Sequence, residues 1–121
     1  MKPVTYLTAR NVTRNVVLGQ KIQAASSILQ RAVGLLATPA LASGEGLWLH
    51  PCTSVHTFFM RYPIDVLFLS KEGAVLEQQT LKPWRVSHWV RKSDGVLELP
   101  AGMLERTGTA AGDRIEFQGQ N

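Results

Sequence analysis

Hydrophobic and polar residues alternate along much of the chain, and one long stretch shifts to a helical period. Residues 4–8, "VTYLT", alternate apolar and polar positions with β-branched side chains, the period-two signature of a half-buried strand. "NVVLGQKI" at 15–22 predicts a second strand, with Gly19 marking a bulge or turn. The period then shifts. In "SSILQRAVGLLATP", 26–39, Ile28, Ala32, Leu35 and Leu36 recur at helical spacing, Ser26 or Ser27 can cap the start, and Pro39 stops the run. This predicts one main helix near 27–37.

"LASGEG" reads as a loop, and "LWLHP" opens the next strand. "IDVLFLS" (64–70), "KEG" and "AVLEQQTL" (74–81) make the clearest hairpin, joined through Gly73. Its first arm is a nearly continuous apolar run, which predicts a strand covered on both faces. Pro83 and Trp84 break the second arm. "VSHWV" (86–90) and "VLELP" (96–100) predict two further strands around the turn "KSDG". A short helical turn is expected near 101–107, ended by Gly108, and "GDRIEF" (112–117) closes the chain as a strand. The fold class is therefore α+β and predominantly β. We expect one domain over 1–121, a small curled or closed barrel-like sheet of antiparallel or mixed strands, because a many-stranded sheet of this size must hide its edges.

Composition narrows the function. With 121 residues, 45% hydrophobic and 18% charged, the chain is long enough to bury a core without staples. One cysteine, Cys52, permits no internal disulfide, so an oxidising compartment is not required. Thirteen Lys and Arg against nine Asp and Glu leave a net charge of +4, enough for weak attraction to anionic surfaces. The basic residues are scattered along the sequence and form no polybasic arm, so no specific nucleic-acid partner is expected. The longest apolar run is far too short for a membrane span. The polar-interrupted start lacks a secretory apolar core, which makes a cytoplasmic location the default expectation and leaves an exported one open.

Candidate chemistry concentrates in "CTSVHTFFMRYPIDV", 52–66. As a strand, this stretch places Cys52, Ser54, His56, Phe58 and Met60 on one face. In a helical turn, Cys52 and His56 would be i, i+4 neighbours, and a thiol beside an imidazole can be a nucleophile. A free cysteine is more often a small buried hydrophobe. His56 is the stronger candidate for touching a ligand, because Thr57, Arg61 and Asp65 follow closely. Asp65 opens an apolar run where a lone carboxylate is costly to bury, so it needs a partner: Arg61, backbone amides or a ligand. Glu98 alternates with Leu97 and Leu99, and is either solvated or turned into the pocket of His56. The three histidines and the cysteine show no close metal-ligand spacing, and no Gly-rich phosphate loop or nucleophile elbow is present. Neither a metal nor another cofactor is expected.

Taken together, "RAVGLL", "GEGLWL", "HTFFMRYPIDVLFLSKEGAVLE", "VLELPAG" and "GTAAGDRIEF" resemble, in order and spacing, a small bacterial and archaeal family known as domain of unknown function 192. The resemblance runs from about Arg31 to Phe117. His56, Met60, Arg61, Pro63 and Asp65 fit one of its motifs, Glu98, Pro100 and Gly102 a second, and Gly112 and Asp113 a third. It implies a compact β-rich domain and supplies no reaction. Several family members are exported or membrane-anchored, whereas this chain shows no leader.

Three functional readings follow. The first is a binding module for a small polar ligand or a peptide. Its pocket around His56 and Glu98 would be lined by Trp48, Phe58, Phe59 and Trp84, with Cys52, Thr57, Arg61, Asp65 and Arg85 contributing polar groups. The second is a hydrolase or transferase using Cys52 or His56, with Asp65 or Glu98 as orienting group. The third is a scaffold or oligomer-forming domain whose exposed apolar residues, Trp84 and Trp89, mark an interface. The oligomeric state itself is not encoded in any feature of the sequence.

Overall fold

A computed structural model describes residues 6–25, 41–58 and 60–119. The chain builds β1 (Tyr6–Asn11), β2 (Val16–Ala25), β3 (Glu45–Leu49), β4 (Ile64–Leu69), β5 (Val75–Leu81), β6 (Gly95–Pro100), a short helix α1 (Met103–Thr107) and β7 (Ile115–Gly119). All seven strands join one sheet in the order β5-β4-β6-β3-β2-β1-β7. The pairings are antiparallel except for β2 with β3, which run parallel. The main helix expected near 27–37 falls outside the described residues.

Strand alternation divides the core in two. On one face Leu67, Leu69, Leu97 and Leu99 pack with Ile22, Leu18, Ile115 and the α1 residues Met103 and Leu104. On the other, Ile64, Val66, Phe68 and Val96 pack with Leu47, Leu49, Cys52, Val55 and Met60. The central strands β4 and β6 are buried at every position, as the continuous apolar run of 64–70 predicts for a strand covered on both faces.

The sheet is curled, not closed. Its two edge strands meet at one end only, through a bridge between Ala74 and Arg114. Val75 N–H donates to the Asp113 carbonyl at 2.7 Å, and Ile115 N–H donates to the Gly73 carbonyl at 2.8 Å. Gly73 is needed for this closure: its φ is 85°, and a Cβ there would lie 2.4 Å from the Ile115 carbonyl oxygen. Pinning the edges together leaves fewer backbone groups open to another chain.

Two expectations change. Residues 86–90 are not a strand of the sheet; they touch segment 53–57 through a single antiparallel bridge, His56 with Val86. A regular ladder cannot form because side chains take over its hydrogen bonds: Val55 N–H donates to Ser87 Oγ at 2.9 Å and Arg85 N–H donates to Thr57 Oγ1 at 2.8 Å. Nor do Cys52, Ser54, His56, Phe58 and Met60 share a face. Cys52, Val55, Thr57 and Met60 point inward while Ser54, His56 and Phe58 are exposed. A turn closed by Met60 N–H on the Thr57 carbonyl, at 3.1 Å, breaks the period of two.

Candidate functional site

Residues 50–62 and 82–93 lie against the second core face and are stitched to each other, forming a strap over β3, β4 and β6. Thr57, fully buried, is the stitch. Its N–H donates to the Arg85 carbonyl at 2.8 Å, and its carbonyl accepts from Trp84 N–H at 2.9 Å. Its hydroxyl donates to the Lys82 carbonyl at 2.6 Å while accepting from Arg85 N–H. Lys82 and Arg85 are the first and last residues of the turn that Pro83 begins, so Thr57 Oγ1 bridges the two ends of that turn.

This clamp fixes an unusual backbone. Trp84 follows Pro83 at φ 62°, the positive value that the third position of a type II turn demands and that glycine ordinarily supplies. A bulky residue there costs on the order of 1–2 kcal/mol. The result is outward display. Trp84 is 54% exposed and Phe58 is 39% exposed. Their ring centroids lie 6.0 Å apart, and Phe58 stacks on His56 at 4.9 Å. His56 Nδ1 accepts from Phe58 N–H at 3.3 Å, which orients the imidazole. Val86 and Trp89 are also exposed, at 61% and 71%.

His56, Thr57 and Arg85 therefore come together on the strap, and Arg61 follows the same turn and is exposed. Arg85 Nη1 donates to the Trp84 carbonyl at 3.3 Å, tying the guanidinium back to the turn. The other candidates lie elsewhere. Cys52 is buried, and its thiol donates to the Ser54 carbonyl at 3.0 Å. Asp65 is buried in β4 and caps α1: one oxygen accepts Gly102 and Leu104 N–H, both at 3.0 Å, and the other accepts Thr80 Oγ1 at 2.7 Å.

Glu98 is 1% exposed and pairs across the sheet with Leu47 and Val66, whose side chains belong to the second core cluster. It lies beneath the strap. Burial, and then the negative charges of Glu98 and Glu45, push the Tyr62 phenol above its ordinary value, so this end of the strap stays protonated over the acid. His56 faces solvent and Glu98 does not, so the two share no open rim. Trp48 is set apart from the platform, stacked on His50 at 5.9 Å and against Phe117 at 4.7 Å. Phe59 lies outside the described residues. Among the described residues no three His, Cys, Asp or Glu side chains gather as a metal site, and no helix is long and apolar enough to cross a membrane.

The profile of the family described as Uncharacterized ACR, domain of unknown function 192, matches residues 9–117. The chain belongs to this family. Among its curated relatives is a UPF0127 protein of Pyrococcus furiosus, 32% identical over 110 residues that cover 88% of this chain and 95% of the relative. A UPF0127 protein of Pyrococcus horikoshii is also 32% identical, covering 88% and 96%. Among solved structures, a Sinorhizobium meliloti protein with a proposed role as a transcription regulator shares the fold with a TM-score of 0.78 at 22% identity, covering 95% of this chain and 94% of that one. A Novosphingobium aromaticivorans protein of unknown function does so with a TM-score of 0.74 at 19% identity, covering 91% and 82%. These two likenesses establish the fold of this family member and assign it no activity.

One contributor to the platform has no single-residue signal in the sequence. Lys82 supplies a backbone carbonyl to the clamp, and only the run "KPWR", a turn with tryptophan where glycine is usual, hints that the segment is unusual.

Proposed function

We propose that this family member is a recognition module without catalytic chemistry, which takes a small polar ligand or a peptide on the outer face of the strap. The contact surface is His56, Phe58 and Trp84, with Arg85 and Arg61 supplying polar groups at its border. Cys52, Thr57 and Glu98 lie buried beneath that surface, whereas Asp65 serves α1 on the other face of the sheet.

One observation carries the reading. The chain holds a tryptophan at positive φ, clamped by a buried hydroxyl, and the outcome is a ring more than half exposed. A fold gains nothing in stability from straining its backbone to expose an aromatic ring. Ring faces presented in series suit stacking against flat or apolar ligand groups. The test is a thermal-shift and tryptophan-fluorescence screen of sugars, nucleotides and short peptides against the wild type and Trp84→Gly. A ligand that raises the melting point of the wild type and not of the variant supports the platform. Ligands that act equally on both place binding elsewhere and end this reading.

The exposure of Trp84 and Trp89 favours a second reading, self-association through the same patch. Light scattering decides it: a dimer dispersed by Trp89→Ala supports association, and a monomer at high concentration opposes it.

A further inference from the structure

The charge of the chain is not distributed as its sequence order suggests. The two stitched segments of the strap, 50–62 and 82–93, contain Arg61, Lys82, Arg85, Arg91 and Lys92 and no Asp or Glu. Five of the thirteen basic residues thus lie on the strap, leaving eight against all nine acidic residues in the rest of the chain. The basic residues look scattered only because the nineteen residues 63–81, which carry β4 and β5, separate two segments that the fold brings together. Two carboxylates hydrogen-bond to the strap from its flanks, and each engages a histidine: Glu77 meets His88 at 2.7 Å and Asp94 meets His50 at 2.8 Å. Around the rings, Arg61, Lys82 and Arg85 are all exposed.

A second feature points to an extended chain as the occupant. In the bridge between His56 and Val86, the hydrogen bonds are made by the flanking residues, Thr57 N–H to the Arg85 carbonyl and Ser87 N–H to the Val55 carbonyl, both at 2.8 Å. The N–H and C=O of Val86 therefore point to the opposite side. Among the described residues no backbone group pairs with them there, and the Val86 side chain is 61% exposed. At His88 the edge is already engaged, its N–H by Gln79 Oε1 at 3.4 Å and its carbonyl by the Ser87 hydroxyl at 2.8 Å, so the open groups are those of Val86. An open strand edge of this kind accepts an added strand.

We propose that the partner is an acidic peptide segment, bound in extended form against the open backbone edge at Val86. Apolar side chains of the segment lie on the Trp84 and Phe58 rings, and its carboxylates meet Arg61, Lys82 and Arg85. This inference rests on the recognition reading above and names the class of partner. An extended peptide uses the edge, the rings and the charge together, whereas a single-stranded nucleic acid would use only the last two.

The test titrates the protein with a short labelled peptide of alternating Glu and Phe, with its Lys-for-Glu counterpart, and with oligo(dT), at low and high salt. The acidic peptide is expected to bind, to weaken about tenfold in high salt, and to outcompete its basic counterpart. The double variant Lys82→Glu, Arg85→Glu is expected to lose about tenfold or more in affinity, with unchanged melting temperature and circular dichroism. Equal binding of both peptides, or full affinity in the double variant, overturns the proposal. Binding of oligo(dT) in place of the peptide overturns it in favour of nucleic acid. If the peptides fail while a ligand from the wider screen is lost in Trp84→Gly, the acidic-peptide inference falls and the platform remains. If no ligand depends on Trp84, both fall.

Discussion

Asp65 on β4 holds the N–H of Leu104 at the start of α1, 3.0 Å away and 39 positions later in the chain. Five residues are too few to form a helix unaided, and the same carboxylate also takes Gly102 N–H and Thr80 Oγ1. Asp65→Ala would leave two backbone donors and a hydroxyl without their acceptor, at a cost of about 2–4 kcal/mol. Urea unfolding measures it. A loss well under about 1 kcal/mol would mean that α1 docks through Met103 and Leu104 alone.

Thr57→Val keeps the shape of the side chain and removes its hydroxyl. The Lys82 carbonyl and Arg85 N–H would lose their shared partner inside the strap, which costs about 1–3 kcal/mol. Thr57→Ser should retain most of the stability. Thermal melts of the two variants provide the comparison, and equal melting points would show that the hydroxyl does not hold the turn.

At Trp84, glycine and alanine should behave differently although both delete the ring. At φ 62° glycine is unstrained, so Trp84→Gly should be more stable than Trp84→Ala by about 1 kcal/mol. The reverse order in denaturant titrations would place this turn outside the left-handed region.

Asp113 carries an acid-dependent part of the stability. Burial alone would raise its carboxyl, but hydrogen bonds from Asn11, Arg14 and Ala110, with the Arg14 charge, outweigh burial and hold it below its ordinary 3.8. A carboxyl lowered by folding stabilises the native state above its unfolded value, and that contribution fades as pH falls through the folded value. The loss is therefore confined to pH below about 4. Asp113→Asn should be less stable than the wild type at neutral pH, and the gap should narrow in acid. Unfolding midpoints across a pH series would reveal it, and a gap constant with pH would remove Asp113 from this role.

The Cys52 thiol, buried with its hydrogen bonded to the Ser54 carbonyl, should react with iodoacetamide slowly at neutral pH and rapidly only in denaturant. Fast alkylation of the native protein would reopen the nucleophile reading, since reactive thiols are accessible and partly ionised.

Much of the architecture is legible from local pattern. The hairpin of β4 and β5, the double-sided burial of β4, the placement of Glu98 opposite Leu97 and Leu99, and the short helix after Pro100 all follow from periodicity and turn chemistry. These are properties of neighbours in the chain. Segment 86–90 has the same local pattern as a strand and yet leaves the sheet, because Thr57 and Ser87 side chains substitute for the ladder it would need.

Within the regular strands, the sequence by itself determined which positions face a core, and it showed which residues could carry polar chemistry, because side-chain direction along a strand depends only on backbone geometry. Tertiary structure alone decided the partner of each polar group: Asp65 on α1, Glu98 beneath the strap, His56 out in solvent beside Trp84. Alternation sets a direction and carries no information about what waits there. The groups that answer Thr57 come from 25 to 28 positions away, a distance bridged by the return of the chain through the paired strands β4 and β5.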